Sequence, residues 1–342
     1  MNYPHFPKEC TSLLCKHLSP EIFETLKNKK TTNGFTLEQA IHSGIQNIDS
    51  GIGVYAGDEE SYTVFSALFD PIIEEYHGFT KEDKHQSNLN PDDLNAPNPD
   101  PEGKYILSTR IRVGRNVDNL PLGPAASKEQ RDIIEKSIVK GLATLEGELA
   151  GSYYPLLGMS KEVQDDLIKD HFLFKEGDRF LDAAGLNRNW PEGRGIYHNN
   201  DKTFLVWVNE EDQLRIISMQ QGGDIKEVFT RLVNAIKSIQ TKVPFSYNDH
   251  LGYITSCPTN LGTAMRASVH IALPKLAKDM EAFKAITDAH HLQIRGIHGE
   301  HSESEGGVYD ISNRRRLGIT EVEAVQDMYD GVIALIEAEE RL

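Results

Sequence analysis

The sequence predicts an α+β fold, with a small all-α N-terminal domain and a larger domain whose antiparallel β-sheet is flanked by helices. Three observations predict it. Residues 1–85 carry helical signals only. Residues 86–103 break that pattern with clustered Asn, Pro and Asp. Beyond them, strand-like runs at hairpin spacing alternate with helical periodicities.

The elements follow in chain order. Ser19-Pro20-Glu21 is a helix start, with Pro in the first turn. Thr36-Leu37-Glu38-Gln39 is a capping box, followed by Ala40, Ile41 and Ile45 on one face. Tyr62, Phe65, Leu68 and Phe69 mark a third amphipathic stretch. Residues 86–103, including Asn90-Pro91-Asp92-Asp93, read as a linker or a long ordered loop. Strands are predicted at 105–113, 203–208, 214–219, 268–273 and 307–311. Those at 203–208 and 214–219 are five residues apart, a hairpin length, so antiparallel pairing is expected. Ser127-Lys128-Glu129-Gln130 is another capping box, with Ile133, Ile134, Ile138, Leu142 and Leu145 as its apolar face. Helical spacing also joins Val228, Leu232, Ile236 and Ile239, and then Val322, Val325, Val332 and Ile336.

Charge and composition narrow the function. The formal net charge of −16 argues against a nucleic-acid binder, whose partner demands clustered Lys and Arg. A few arginines in a local cleft can still hold a small anion on an acidic protein. No apolar run reaches the length of about 18 residues that a membrane span needs. The N-terminus lacks a basic start and an apolar run, so no secretory signal is expected. Cys10, Cys15 and Cys257 form no disulfide framework and no zinc spacing, which fits a reducing, cytoplasmic setting.

Four constellations carry candidate chemistry. Ser108-Thr109-Arg110-Ile111-Arg112 places two arginines two residues apart, hence on one face of a strand. Arg215, Arg266 and Arg295 lie in or beside other strand-like runs. The arginine fork suits phosphate oxygens, while a solvated face or structural ion pairs is the plainer reading of each one. Glu210-Glu211-Asp212 exposes three carboxylates at a hairpin tip, which suits a cation or simply water. Cys257 precedes a Pro/Asn/Gly loop at a strand end, where positive charge would activate it. Residues 295–307 are polar and glycine-punctuated, a lid candidate or an ordinary surface loop. There is no GxxxxGK[ST] and no HRD/DFG set, which excludes a P-loop enzyme and the common protein-kinase fold.

Three segments together resemble the ATP:guanidino phosphotransferases, the phosphagen kinases. They are Cys257-Pro258-Thr259-Asn260-Leu261-Gly262-Thr263, the run Phe204 to Asp212, and Ser108 to Arg112. The resemblance extends from about residue 10 to the end. It implies the guanidino-kinase fold, with a glutamine-synthetase-like catalytic domain over 104–342 and a mobile lid at 295–310. It also implies a reversible transfer between MgATP and a small guanidine, without nucleic acid or membrane.

Site residues are carried over position by position. The resemblance implies that Arg110, Arg112, Arg215, Arg266 and Arg295 grip the phosphates. Ser108, Thr109 and Ile111 accompany the first pair, and Ala267, Ser268 and Val269 follow Arg266. His171 and His270 would flank the adenine. Gly296, Ile297, His298, Gly299, Glu300 and Asp310 would complete the nucleotide side. Glu211, Cys257 and Glu300 would hold the guanidinium, with Cys257 as a thiolate. Glu210 and Asp212 would face Mg²⁺ through water.

The resemblance is closest to the arginine kinases. The short loop Asp49-Ser50-Gly51-Ile52-Gly53-Val54-Tyr55 matches theirs, with backbone groups and the Tyr hydroxyl meeting the amino-acid end. Two positions depart from their pattern. His298 stands where Arg is usual, which keeps a taurocyamine kinase as the alternative. Gln213 stands where His is usual. Asp49 and Arg179 match an interdomain ion pair, which favours a monomer and also permits a dimer. Of the catalytic groups, Arg215 and Arg266 are expected to outweigh either glutamate.

Overall fold

The computed structural model describes residues 1–297, 304 and 306–342. Five helices open the chain: α1 (Leu13–His17), α2 (Pro20–Leu26), α3 (Leu37–Gln46), α4 (Ser61–Val64) and α5 (Ser66–His77). Ser12, Ser19 and Thr36 cap the first three, and Thr36 with Gln39 forms the full reciprocal box. Their apolar faces bury Leu14, Phe23, Leu26, Leu37, Ile41, Leu68 and Phe69.

That helical core is not self-contained. Leu122, Leu181, Leu186, Leu251, Ile254, Cys257 and Leu317 enter the same cluster. The N-terminal helices therefore grip the segments that carry the predicted site. Tyr62 donates to Thr255 O at 2.6 Å, and the Ala56 N–H to Ser256 O at 2.7 Å.

The rest of the chain forms strands β1 (Ile106–Arg115), β2 (Gly151–Pro155), β3 (Gly195–Asn199), β4 (Phe204–Val208), β5 (Leu214–Gln221), β6 (Tyr247–Asn248), β7 (Gly252–Tyr253), β8 (Met265–Ala272), β9 (Leu292–Gly296) and β10 (Val308–Asn313). Eight of them make one sheet in the order β2-β3-β4-β5-β1-β8-β10-β9, antiparallel throughout. Helices α6 (Lys128–Leu142), α7 (Lys161–Lys169), α8 (Arg179–Ala183), α9 (Ile225–Gln240), α10 (Met280–Ala289) and α11 (Glu321–Arg341) complete the fold. The large core joins residues of α6, α9, α10 and α11 to Ile111, Val113, Ile216, Ala267, Val269 and Ile311 of the sheet.

The expected hairpin of β4 and β5 is present, and its register pairs Val208 with Leu214. The sequence pattern does not single out β2 and β3, because Gly and Pro bound short runs with no clean alternation. Ile133 is a correction: it is 55% exposed, while Ile134 and Ile138 are buried. Two adjacent isoleucines cannot both face one side of a helix.

Residues 86–103 form an ordered strap rather than a free linker. Leu94 and Ala96 enter the large core, and Tyr329 of α11 donates to Pro97 O at 2.8 Å. Asp100 accepts from the N–H groups of Lys104, Tyr105 and Ile106, which fixes the start of β1.

Two imidazoles at this junction set an acid limit on stability. A ring N–H of His77 donates to Pro258 O at 2.8 Å, and His85 Nδ1 accepts from the Gly318 N–H at 3.1 Å. Burial lowers both pKa values to about 4. Both rings are neutral when folded but protonate near 6.5 when unfolded. Stability is therefore complete above about 6.5 and is lost as pH falls toward 4. Urea midpoints should decline over that window, and His77→Gln should flatten the decline. An unchanged slope in that variant would remove His77 from the account.

Candidate functional site

Strand register brings the site together. Residues directly opposite in a sheet share a face. Arg112 of β1 lies opposite Arg266 of β8, and Arg110 opposite Ser268. On the other side of β1, Gly114 lies opposite Arg215 of β5. Asp310 of β10 lies opposite both His270 and Arg295. The sheet thus presents Arg110, Arg112, Arg215, Arg266 and Arg295 on the face that its flanking helices leave uncovered.

The same parity corrects part of the predicted set. The side chains of Ile111, Ala267 and Val269 point into the helix-covered core. Thr109 is buried on that side as well, donating to Gly222 O at 2.8 Å. Only Ser108, Ser268 and His270 share the arginine face, as their pairings require.

A cleft of about 720 Å³ lies between this face and the N-terminal helices. Ser50, Gly51, Ile52, Gly53 and Tyr55 line one side; Glu211, Cys257, Arg112, Arg215 and Arg295 line the other. A separate cleft of about 600 Å³, beside Asp58, Glu59, Glu60 and Asp70, holds none of the predicted residues.

Loop 49–55 is fixed by its neighbours. The N–H groups of Leu13 and Leu14 donate to Gly51 O and Ile52 O, each at 3.0 Å. Gly53 has φ +83°, and a side chain there would meet Leu14 Cβ at 2.9 Å. Gly44 of α3 packs so closely that a Cβ on it would reach Gly53 O at 2.3 Å. The Val54 side chain is fully buried in the helical core and does not line the cleft. Arg179 forks onto Asp49, with Nη1 at 2.7 Å, and also donates to Asn47 Oδ1 at 3.0 Å. The predicted ion pair is therefore present, although both partners are more than half exposed.

Electrostatics divide the cleft in two. On one side, burial first and then Arg215 and Arg266 lower the Arg110 pKa to about 9. Burial, Arg215 and Arg316 depress Arg112 well below its ordinary value. Mutual repulsion on that scale makes the face a site for an anion. Arg266 is held by Asp310 Oδ1 at 2.5 Å, and His270 Nε2 lies 3.1 Å from Oδ2. Burial opposes ionisation of Asp310, but His270 and Arg266 overcome it and keep the carboxyl below its usual range.

On the other side lie the acids. Burial and Asp212 push the Glu211 pKa up to about 7. Asn260 Nδ2 donates to Glu211 Oε1 at 2.8 Å and fixes its position. Burial and Glu211 push Cys257 up to about 12, so the free protein holds a thiol there rather than the thiolate expected from sequence. Cys257 Sγ lies 3.1 Å from Thr259 Oγ1. A bound guanidinium cation would favour ionisation of both groups.

Glu210 and Asp212 differ in availability. Glu210 lies 3.1 Å from Arg215, off the line of a hydrogen bond, and its Oε1 is buried without a hydrogen-bond partner. Asp212 Oδ1 accepts from Asn116 Nδ2 and from the Ser256 N–H, each at 2.9 Å. No group of three ligating side chains occurs among the described residues.

Gln213 is structural. It accepts from the Val117 N–H at 2.8 Å and donates to Pro121 O at 2.7 Å, away from the cleft. His171, with φ +61°, follows α7 and is exposed. The next residue, Phe172, accepts from Trp207 Nε1 at 2.9 Å. His298, Gly299 and Glu300, with 301–303 and 305 of the expected lid, lie outside the described residues.

Two residues at the site escaped the sequence reading. Arg316 ends the basic run Arg314-Arg315-Arg316. Its neighbours do pair outward, with Asp288 and Asp327. Arg316 is buried, donates to Asn260 Oδ1 and lines the cleft. Trp207 carries Arg215 at 5.2 Å and Arg110 at 5.9 Å from its ring centre. Its pairing with Arg215 across the predicted hairpin could have revealed it.

Comparison with known proteins agrees with this geometry. Residues 8–74 match the N-terminal domain model of the ATP:guanido phosphotransferases, and 133–342 match their C-terminal catalytic domain model. The chain is 57% identical to an arginine kinase of Penaeus monodon and 56% identical to one of Eriocheir sinensis. Each match covers 98% of this chain and 94% of the relative. Among solved structures, a lombricine kinase superposes with a TM-score of 0.93 at 41% identity, covering 99% of this chain and 94% of that one. The duplicated taurocyamine kinase of Schistosoma mansoni gives 0.91 at 43% identity, over 97% of this chain and 47% of the other.

Proposed function

This chain belongs to the ATP:guanido phosphotransferase family, and we propose that it moves the γ-phosphate of ATP reversibly onto the guanidinium of free L-arginine. It is a phosphotransferase with a nitrogenous acceptor, using ATP and ADP as its nucleotides. The observation that carries the reading is the opposition of two charge fields across one cleft. Arginines whose charge burial and mutual repulsion both oppose face Glu211 and Cys257, whose neutral forms burial favours.

The arginine face receives the phosphates. Positioning and charge neutralisation supply most of the catalysis of phosphoryl transfer, since the transition state spreads charge over three equatorial oxygens. Mg²⁺ would neutralise charge on the β- and γ-phosphates. Glu210 and Asp212 would hold it through water. Aligning the two reactants can be worth on the order of 7–11 kcal/mol.

A guanidinium is protonated and delocalised, so attack needs loss of a proton and a fixed lone pair. Glu211 accepts that proton while its other oxygen stays on Asn260. Cys257, which lines the same cleft, would meet the remaining nitrogen, and Glu300 is the second carboxylate that this reading assigns to the guanidinium. Closure of 295–310 excludes water as a rival acceptor. The amino-acid end of the substrate meets loop 49–55. Among the described residues, none of the N–H groups of residues 51–54 donates a hydrogen bond, so they remain for a carboxylate. The 1–85, 86–103 and 104–342 division belongs to this reading, as does a cytoplasmic setting with three free thiols. No helix of the described residues is long and apolar enough to cross a membrane.

Gly53→Ala tests the loop. The strained φ and the Leu14 contact should displace it and raise KM for the acceptor about tenfold, about the worth of one hydrogen bond. KM for ATP should barely move. Equal effects on both would count against residues 49–55 as the acceptor loop. The function itself is tested by coupled-assay turnover with MgATP and L-arginine, creatine, glycocyamine, taurocyamine or lombricine. Dominance of L-arginine is expected. Dominance of taurocyamine would preserve the mechanism and overturn the specificity.

A further inference from the structure

We propose that Cys10 and Cys15 form a redox modification site, where a hydroperoxide converts two neighbouring thiols into a disulfide and thereby loosens loop 49–55. The thiols converge on one turn. Cys15 Sγ lies 3.1 Å from Cys10 O and 3.1 Å from Ser12 O. Cys10 Sγ lies 3.5 Å from Ser12 Oγ. Both side chains are half-buried and so within reach of a small oxidant, whereas Cys257 is buried.

The two sulfurs have different roles. Burial opposes ionisation of Cys10, but hydrogen bonds from Ser12 and Cys15 outweigh it and lower its pKa. Burial and the neighbouring Cys10 raise that of Cys15. Cys10 is therefore the attacking thiolate and Cys15 the resolving thiol. Cys10 Sγ attacks the terminal peroxide oxygen, the O–O bond breaks, and the departing alkoxide or hydroxide takes a proton. Cys10 becomes a sulfenic acid. Cys15 Sγ then attacks that sulfur and the S–O bond breaks. Hydroxide leaves as water with the Cys15 proton. Overall, the two thiols lose two hydrogens and the hydroperoxide becomes an alcohol, or water, plus water.

The disulfide is coupled to the cleft by a short chain of contacts. An S–S bond of about 2.0 Å cannot coexist with the present thiol hydrogen bonds. Ser12 would be pulled, and its Oγ caps α1 by accepting from the Cys15 N–H at 3.2 Å. The next two residues, Leu13 and Leu14, hold Gly51 O and Ile52 O through their N–H groups. Leu14 also underlies Gly53. The consequence for catalysis rests on loop 49–55 as the acceptor loop; the chemistry at sulfur does not.

The experiment treats the reduced full-length protein with hydrogen peroxide. Trypsin cuts after Lys8 and Lys16, so peptide 9–16 contains both cysteines. Unreduced mass spectrometry should show that peptide losing two hydrogens before the Cys257 peptide changes. KM for L-arginine should then rise about tenfold, equivalent to about 1.4 kcal/mol. Dithiothreitol should reverse it, and KM for ATP should stay unchanged. Cys10→Ser, which lacks the attacking thiol, should keep the parent KM and leave it unchanged by peroxide. Hydrogen exchange at residues 49–55, faster in the disulfide form, reports the coupling without turnover. Oxidation of Cys257 with peptide 9–16 intact would overturn the site. A disulfide with unchanged exchange at 49–55 would overturn the coupling. If no guanidine is turned over by the reduced protein, the functional reading fails, while peptide mass and exchange still decide this one.

Discussion

Arg266→Ala is expected to lower kcat by about 10³–10⁵-fold, the range found for arginines that neutralise a transferring phosphoryl group. The expectation rests on position. Arg266 stands directly opposite Arg112, at the centre of the arginine face. Its guanidinium is already fixed by Asp310, and Asp310 in turn by His270. Little reorganisation remains to be done when charge develops, which is where preorganised groups contribute most. The substitution also removes the guanidinium bonded to the buried Asp310, and breaking such a pair can cost about 3–5 kcal/mol. Arg266→Lys separates the effects. It keeps a positive charge near Asp310 but loses the planar fork, so it should fold like the parent and still lose most of its turnover. Thermal midpoint and kcat measured together on both variants decide the matter. Folded Arg266→Ala protein within about tenfold of parental kcat would show that this arginine does not neutralise the transferred group.

The same face explains how much was legible in the sequence. Arg110 and Arg112 declared a shared face by their spacing, and the hairpin declared antiparallel pairing. Once the register is known, every other arginine follows from parity. What the sequence withheld was the strand order. Nothing local says that β8 lies beside β1, because that adjacency is set by burial of Val269 and Ala267 against α11 and its neighbours. Without it, nothing in the sequence says that the side chains of Ala267 and Val269 turn away from Arg266, or that Arg316 enters the cleft. The site segments were recognisable as motifs, but their charge states were not. The resemblance implies a thiolate at Cys257; only the cleft shows that its largest charged influence is Glu211. Loop 49–55 was legible in length, whereas its anchoring by Leu13, Leu14 and Gly44 required the packing of α1 on α3.

Glu211→Gln is expected to lower kcat by about 10²–10⁴-fold and to abolish the acid limb of the pH profile. The sign follows from the raised pKa. In the free protein Glu211 titrates near 7, so below that pH it is protonated and cannot accept the guanidinium proton. The value of kcat/KM, which reports the free enzyme, should therefore fall about tenfold per unit on the acid side of 7. A bound guanidinium favours the carboxylate, so the limb in kcat should lie at lower pH than the limb in kcat/KM. Folding provides an independent check. A carboxylate whose pKa is raised on folding gives its full stability below the unfolded value and loses it as pH rises through the folded one. Gln keeps the oxygen that accepts from Asn260 but never ionises, so Glu211→Gln should match the parent near pH 4 and be the more stable protein at pH 8. A stable, inactive variant with a flat acid side would identify Glu211 as the proton acceptor. An acid limb that survived the substitution would move that role to another group, and Glu300 of the lid would be the next to replace.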